Sequence, residues 1–180
     1  MIPFVLVTPR LRLVTITPEM MSADEARSTH LSTLLSAEIP DIWPPEHWEP
    51  HVFSFMREQF LHYPHTVGWN RYVVLKRLRP TLIGNVCAFP RSKSEAEIGY
   101  AILGPWQRRG LATEGVLAFT KELFRLPSLR SITAQTFPNL TSSIGVLRKC
   151  GFQLIGPGEE EGAVRYRLQK HRVRTRSLGV

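Results

Sequence analysis

The sequence predicts a single mixed α/β domain, a mixed β-sheet with helices packed on both of its faces. Three observations lead there. Short runs of alternating apolar and polar residues open the chain and form a hairpin near its middle. The second half then alternates strand and helix patterns before a last hairpin. Length and composition fit one domain: 180 residues, 43% hydrophobic and 21% charged, enough to bury a core without staples.

The elements follow in order. Residues 11–16 alternate as a strand. Thr17 reads as a helix N-cap with Pro18 at the first helical position, and a helical stretch runs on through Leu35. Residues 39–50 carry four prolines and form a loop. Its tryptophans, Trp43 and Trp48, either cover the edge of the core or wall an acceptor pocket, since aromatic faces on a loop suit a small ligand. Val52, Phe53, Phe55, Met56 and Phe60 mark a helix over residues 51–61. Strands over 71–76 and 81–88 form a hairpin around Arg79-Pro80. Residues 97–103 make another strand, in which Gly99 implies a bulge or a close backbone approach. After the loop 104–110, a helix over 111–126 places Val116, Leu117, Leu123 and Phe124 at helical spacing, and Pro127 closes it. A strand over 131–137 and a helix over 142–150 follow, with Gly151 in the position just past the helix end. Strands over 152–155 and 163–168 flank Gly156-Pro157-Gly158 and the acidic run 159–161.

Composition narrows the function. Two cysteines, Cys87 and Cys150, are too few for a disulfide framework and point to a reducing, cytoplasmic compartment. No run approaches the roughly 20 apolar residues of a membrane span, and the N-terminus has no basic region of a signal peptide. The net charge of +8 fits a polyanionic cofactor, an acidic partner or nucleic acid. Part of the excess sits in Arg165, Arg167, Lys170, Arg172, Arg174 and Arg176. No aromatic stacking platform accompanies these residues beyond Tyr166, so residues 171–180 read as a solvated basic tail on a domain spanning 1–170, and nucleic acid is not the expected partner. His47 and His51, and His62 and His65, are interrupted by Pro50 and Pro64 and joined by no cysteine, so no metal is expected. Cys150 beside Gly151 reads as a buried, inert thiol.

The chemistry concentrates where the third-quarter strand meets its helix. A helix start leaves backbone N–H groups unpaired and carries partial positive charge. The preceding loop adds N–H groups that form an anion nest. Gly110 lets a phosphate approach without a Cβ in the way, Ala112 and Thr113 keep the entrance open, and Arg108 and Arg109 add charge at the rim. The ligand implied is a di- or polyphosphate. Neither G-x-x-x-x-G-K-[ST] nor G-x-G-x-x-G is present.

Gln107-Arg108-Arg109-Gly110-Leu111-Ala112 resembles the Q/R-x-x-G-x-G/A signature of the GNAT superfamily of acetyltransferases. Ala96-Glu97-Ile98-Gly99-Tyr100-Ala101-Ile102 is similar to the strand before that signature, Thr113-Glu114-Gly115 to its helix entrance, and Ser143 to Phe152 to the later helix with its Gly-Phe exit. Thr8-Pro9-Arg10-Leu11-Arg12-Leu13 resembles the first strand of the branch that includes ribosomal-protein N-terminal acetyltransferases. The resemblance covers most of the chain and is strongest from Glu97 to Phe152. It implies a splayed, mostly antiparallel mixed sheet with acetyl-CoA in the gap between the strand ending near Leu103 and the strand 131–137. It also implies that Ile102 and Leu103 pair with the pantetheine arm, that the N–H groups of Arg108, Arg109, Gly110, Leu111, Ala112 and Thr113 hold the pyrophosphate, and that Asn139 and Ser143 meet the pantetheine or thiol end. Two departures stand out. Leu140 occupies the place of the family's Asn, with Asn139 one residue early and Ser142 as a substitute. Val146 and Leu147 stand where many relatives carry a Tyr that protonates the leaving thiolate, so the general acid is unassigned.

The activity implied is acetyl transfer to a primary amine, of a protein N-terminus or a small molecule, by direct attack in a ternary complex. A carboxylate on the central strand suits the base, and Glu97 is the candidate, with Glu95 behind it. A backbone N–H near Gly99 suits the polarisation of the thioester carbonyl. Glu97, Gly99 and Ala101 share one strand face; Ile98, Tyr100 and Ile102 share the other. Tyr100 is a packed aromatic or orients the substrate. The alternatives are a non-catalytic acyl-CoA-binding module and a basic nucleic-acid binder. A homodimer stays open.

Overall fold

The computed structural model describes residues 4–45, 48 and 50–171. Eight strands form one open sheet: β1 (Val5–Val7), β2 (Leu11–Thr15), β3 (Asn70–Leu75), β4 (Thr81–Pro90), β5 (Glu95–Ile102), β6 (Ser131–Thr136), β7 (Gln153–Pro157) and β8 (Val164–Gln169). Their order across the sheet is β1-β2-β3-β4-β5-β6-β8-β7. Every neighbouring pair is antiparallel except β5 and β6. A parallel pair needs a crossover, and the helix α4 (Leu111–Leu123) supplies it. The predicted fold class therefore holds, and residues 172–180 of the expected tail lie outside the described residues, as does His47.

The helices divide between two cores. Helices α4 and α5 (Thr141–Lys149) pack on one face. Leu111, Val116, Phe119 and Leu123 of α4 and Leu147 of α5 meet Leu11, Leu13, Val73, Val86, Ile98 and Ile132 of the sheet there. Gly115 sits over Leu11 and Leu13, where its missing side chain lets the helix lie close. Leu117, expected on this face, is 43% exposed, because it falls on the solvent side of the helical stripe. Helices α1 (Pro18–Glu25), α2 (His30–Leu35) and α3 (Pro50–His62) cover the other face, with Met20, Leu31, Phe53 and Met56 against Val14, Tyr72, Val74 and Leu82.

Local signals explain the boundaries. Thr17 Oγ1 accepts the Met20 N–H at 3.1 Å, and Pro18 opens α1. The expected single helix through Leu35 is two helices, because the chain turns through a left-handed Arg27 (φ 52) between them. Helix α5 ends in a Schellman motif: Phe152 N–H bonds Leu147 O and Gly151 N–H bonds Arg148 O, both at 3.0 Å, with Gly151 at φ 91. The short edge strand β1 has no counterpart in the sequence reading, since three residues carry too little alternation. The register of β4 and β5 is regular through Gly99, so the expected bulge there is absent. Gly99 is instead a close approach, since a Cβ on it would lie 3.2 Å from Cys87 Sγ. The irregularity is in β4, where Ile83 is the extra residue against Val73 and Val74.

Among the described residues, no helix is long and apolar enough to cross a membrane. Gly84, just past the bulge, is the tightest point of the sheet: a Cβ there would overlap the Ala101 carbonyl oxygen and crowd Ile102. Gly84→Ala should cost about 3 kcal/mol of stability, the upper end of overpacking. Urea denaturation with an unchanged midpoint would show that the two strands are free to separate at this point.

Candidate active site

Strands β5 and β6 pair over only three residues, Glu95, Ala96 and Glu97 against Ser131, Ile132 and Thr133, and then part. The vertex is held by charge and hydrogen bonding. Arg165 reaches Glu95 at 3.1 Å and Glu97 at 3.7 Å; Arg167 reaches Glu95 at 3.3 Å; Arg91 reaches Glu97 at 3.3 Å and also pairs with Glu159. Ser131 Oγ donates to Glu95 at 2.8 Å, and Gln135 Nε2 to Glu97 Oε1 at 2.9 Å. Above the vertex the gap opens into a cleft of about 1840 Å³.

One wall of the cleft is the backbone edge of β5. Leu103 turns its N–H to Ile83 O on β4 at 2.8 Å. By the two-residue alternation of a strand, Ile98, Tyr100 and Ile102 turn theirs the other way, into the gap. Ile102 O accepts Gln107 Nε2 at 2.7 Å. The expected pairing edge at Ile102 and Leu103 is therefore displaced: Leu103 is committed to β4, and the groups facing the cleft belong to Ile98, Tyr100 and Ile102. Gly99 turns its own N–H to β4 as well, so a polarising N–H near it would come from Ile98 or Tyr100.

The upper end is the loop before α4. Arg108 (φ 58) and Gly110 (φ 74) are both left-handed, the first of them in a residue with a side chain. This pair turns the chain sharply onto the helix, and Gly110 is its N-cap. The first helical hydrogen bond is Glu114 N–H to Gly110 O, at 3.0 Å, so the N–H groups of Leu111, Ala112 and Thr113 are the ones a helix start leaves over. Arg108, Gly110, Leu111, Ala112 and Thr113 all line the cleft. Arg109 does not; its carbonyl accepts Arg10 NH1 at 2.9 Å.

That contact belongs to a clasp. Glu114 accepts Thr8 Oγ1 at 2.6 Å, Arg10 N–H at 2.8 Å and Arg10 Nε at 2.6 Å. Burial raises the proton affinity of this carboxyl, but the bonds from Thr8 and Arg10 outweigh it and hold it below the usual glutamate range. A depressed carboxyl stabilises the fold above its ordinary pKa and loses that contribution as pH falls through its folded value, so the clasp is intact at neutral pH. Thr8-Pro9-Arg10 and Thr113-Glu114-Gly115 were both visible as motif pieces in the sequence, but nothing there joins residues 104 positions apart.

The opposite wall comes from α5 and β6. Asn139, Ser142 and Ser143 line the cleft at the start of α5. Tyr100 crosses to this side, its hydroxyl 3.1 Å from Ser143 O and 3.2 Å from Ser143 Oγ. Burial pushes its phenol up to about 12, partly offset by Ser143, so it stays protonated. Thr136 also lines the cleft, although its Oγ1 is buried and has no hydrogen-bond partner among the described residues. Glu97 lines the vertex, 6% exposed. Near it the turn before β8 is tied down by Glu159 N–H to Gln135 Oε1 at 2.5 Å, which brings Glu159 and Glu160 to the rim.

Trp43 and Trp48 are not in the cleft wall; they cover the core edge. Both are buried against Tyr72, and their indole N–H groups donate to Asp24 at 2.8 and 3.2 Å, with Tyr72 Oη donating at 2.6 Å. Their loop still reaches the cleft through Ile42, Pro44 and Pro45. Burial raises the Asp24 carboxyl, against the pull of its three donors and of Arg27. Asp24 was not readable as a site in the sequence, because an acidic residue on a short helix normally faces solvent. Cys150 is buried, with Sγ 3.7 Å from Thr113 O; Cys87 lies on the Gly99 face, its thiol pushed up to about 11 by burial. Among the described residues no group of three His, Cys, Asp or Glu stands together as a metal site.

A family model described as an acetyltransferase (GNAT) domain matches residues 10–153. Comparison with curated proteins gave no match. Among solved structures, a GNAT-family acetyltransferase from Bacillus anthracis aligns with a TM-score of 0.64 at 19% identity, covering 93% of this chain and 99% of that one. A ribosomal-protein-alanine acetyltransferase from Vibrio fischeri aligns with a TM-score of 0.63 at 16% identity, covering 93% and 97%. RimL, a ribosomal alpha-N-protein acetyltransferase in complex with coenzyme A, aligns with a TM-score of 0.61 at 19% identity, also covering 93% and 97%.

Asp24→Ala leaves two indole N–H groups and a phenol without their acceptor, and should cost about 3 kcal/mol in chemical denaturation. Asp24→Asn, which keeps one acceptor oxygen, should cost less. Equal small losses in both variants would mean that the loop is held by packing alone.

Proposed function

The chain belongs to the GNAT acetyltransferase family, and from that premise we propose that it moves an acetyl group from acetyl-CoA to a primary amine, of a protein N-terminus or a small molecule, by direct attack in a ternary complex. One observation carries the reading: the three helix-start N–H groups of α4 stand at the upper end of a cleft that has as one wall a strand edge with no partner strand. A pyrophosphate fits the first and a pantetheine arm the second.

When bound, acetyl-CoA supplies an acetyl group activated as a thioester; the chain's residues do the rest. Arg108 and the N–H groups of Gly110, Leu111, Ala112 and Thr113 hold the pyrophosphate, while Arg109 serves by holding the turn. The backbone of Ile98, Tyr100 and Ile102 pairs with the pantetheine arm, and an N–H from the same edge polarises the carbonyl. Asn139, Ser142 and Ser143 meet the thiol end, and the positive end of α5 favours the charge that develops there. The Tyr100 hydroxyl, oriented by Ser143, delivers the proton to the leaving thiolate. Glu97 takes the proton of the amine through a water, since its oxygens are already engaged by Gln135 and the two arginines. The amine approaches on the face of Gly99 and Ala101, whose small side chains leave the strand accessible. Direct transfer is favoured over an acetyl-enzyme because Cys87 stays protonated and Cys150 is buried.

Calorimetric titration with acetyl-CoA tests the cradle: Gly110→Trp fills the space where a phosphate would approach and should weaken binding by about 100-fold or more, roughly 3 kcal/mol. Equal affinity in the two proteins would sink the pyrophosphate assignment. For the proton transfers, Glu97→Gln and Tyr100→Phe should each lower kcat by about 100-fold while leaving acetyl-CoA affinity in place. A Glu97→Gln variant with full kcat would return Glu97 to the vertex network alone.

A further inference from the structure

Arg10 lies in the turn between β1 and β2, almost a hundred positions before the loop it touches. Its contacts are unusually directed for a half-exposed arginine. NH1 holds the Arg109 carbonyl at 2.9 Å. Nε and the backbone N–H hold the two oxygens of Glu114 at 2.6 and 2.8 Å. NH2 stands where a Cβ on Gly110 would lie 3.5 Å away. The Arg109 peptide is the one between the two left-handed residues, Arg108 and Gly110. Left-handed backbone in a residue with a side chain costs roughly 1 kcal/mol, so this turn needs an outside restraint. Arg10 supplies it at the single carbonyl whose rotation would turn the following N–H groups away from the cleft. Glu114 has a second effect. A carboxylate in the first turns of α4 would oppose an anion bound at the same helix start, and Arg10 and Thr8 neutralise it by direct hydrogen bonds.

We propose that Arg10, acting through Glu114 and the Arg109 carbonyl, is a positioning residue that sets the affinity for the pyrophosphate of the donor. The inference rests on the reading that the loop 108–113 holds that pyrophosphate. It makes the turn before β2 part of the donor site although no residue of that turn lines the cleft.

The test uses two acetyl donors, acetyl-CoA and S-acetylpantetheine, which lacks the pyrophosphate and the nucleotide. Arg10→Gln and Glu114→Gln should each raise the KM for acetyl-CoA by about tenfold with kcat near wild type, a loss of roughly 1.4 kcal/mol. Both should keep the wild-type kcat/KM with S-acetylpantetheine. Arg10→Lys should not restore the acetyl-CoA KM, because an ammonium cannot bridge a carboxylate and a carbonyl in the fixed geometry of a guanidinium. An unchanged acetyl-CoA KM in Arg10→Gln overturns the inference, and so does an equal loss with both donors, which marks a general structural role. Full rescue by Arg10→Lys also overturns it, since charge alone would then suffice. A wild-type protein that uses both donors with equal kcat/KM identifies a different failure, that of the pyrophosphate reading itself.

Discussion

The rest of the molecule depends on the parting of β5 and β6 after three paired residues. A sheet that ends its pairing in the middle leaves backbone groups without partners, and such groups are costly to bury dry. Here the exposed edge is placed on a cleft, and a cluster of charged side chains stands at the vertex where the pairing ends. Glu95 and Glu97 from β5 meet Arg165 and Arg167 from β8 and Arg91 from the turn before β5. Bringing three arginines and the glutamates together at partly buried positions is tolerable only because they pair with one another. The cluster lies where the strands begin to separate, so the same contacts that close the base of the sheet set the opening of the cleft.

Each face of the sheet then secures one wall. On the α4–α5 side, packing of α4 over β2 and β4 brings the turn before β2 against the helix start, and the clasp of Thr8, Arg10 and Glu114 joins them. On the other side, Asp24 gathers Trp43, Trp48 and Tyr72 into the second core and anchors the proline-rich loop whose Ile42, Pro44 and Pro45 reach the cleft. A donor held on one side and an acceptor approaching from the other need both walls fixed before the reaction, because catalysis by positioning is lost with displacements of about 1 Å. The two anchors are chemically alike, a carboxylate receiving several donors. They differ in exposure: Glu114 sits near water and is held charged by Arg10, whereas Asp24 is buried and held mainly by neutral donors.

Much of this was legible in the residues. Apart from the short β1 and the break between α1 and α2, the order of strands and helices and the Gly151 helix stop follow from periodicity and turn chemistry. Gly110 before an apolar helix reads in the sequence as a sharp helix start, and the structure has it as the left-handed N-cap of α4. Errors fell where local pattern is silent. Gly99 is a glycine in a regular ladder, close to Cys87, and the bulge is at Ile83, which is apolar and carries no turn signal. The two tryptophans look alike as pocket walls or core in a proline-rich loop, and only the buried carboxylate of Asp24 decides for the core. Tyr100 pairs with Ser143 across the gap, a contact between a strand and a helix 43 residues apart.

The sequence by itself determined the mixed sheet and most of its elements, above all the alternation of strand and helix in the second half, because periodicity and turn chemistry depend on residues within a few positions of one another. The tertiary structure decided which backbone groups of β5 face the gap, which side chains close its base, and how Thr8-Pro9-Arg10 braces a loop at the far end of the sheet. Those are consequences of strand order and register, set by the burial of two separate cores and by ion pairs between distant strands. No local pattern encodes them, since a hydrogen bond between residues a hundred positions apart leaves no period in the chain.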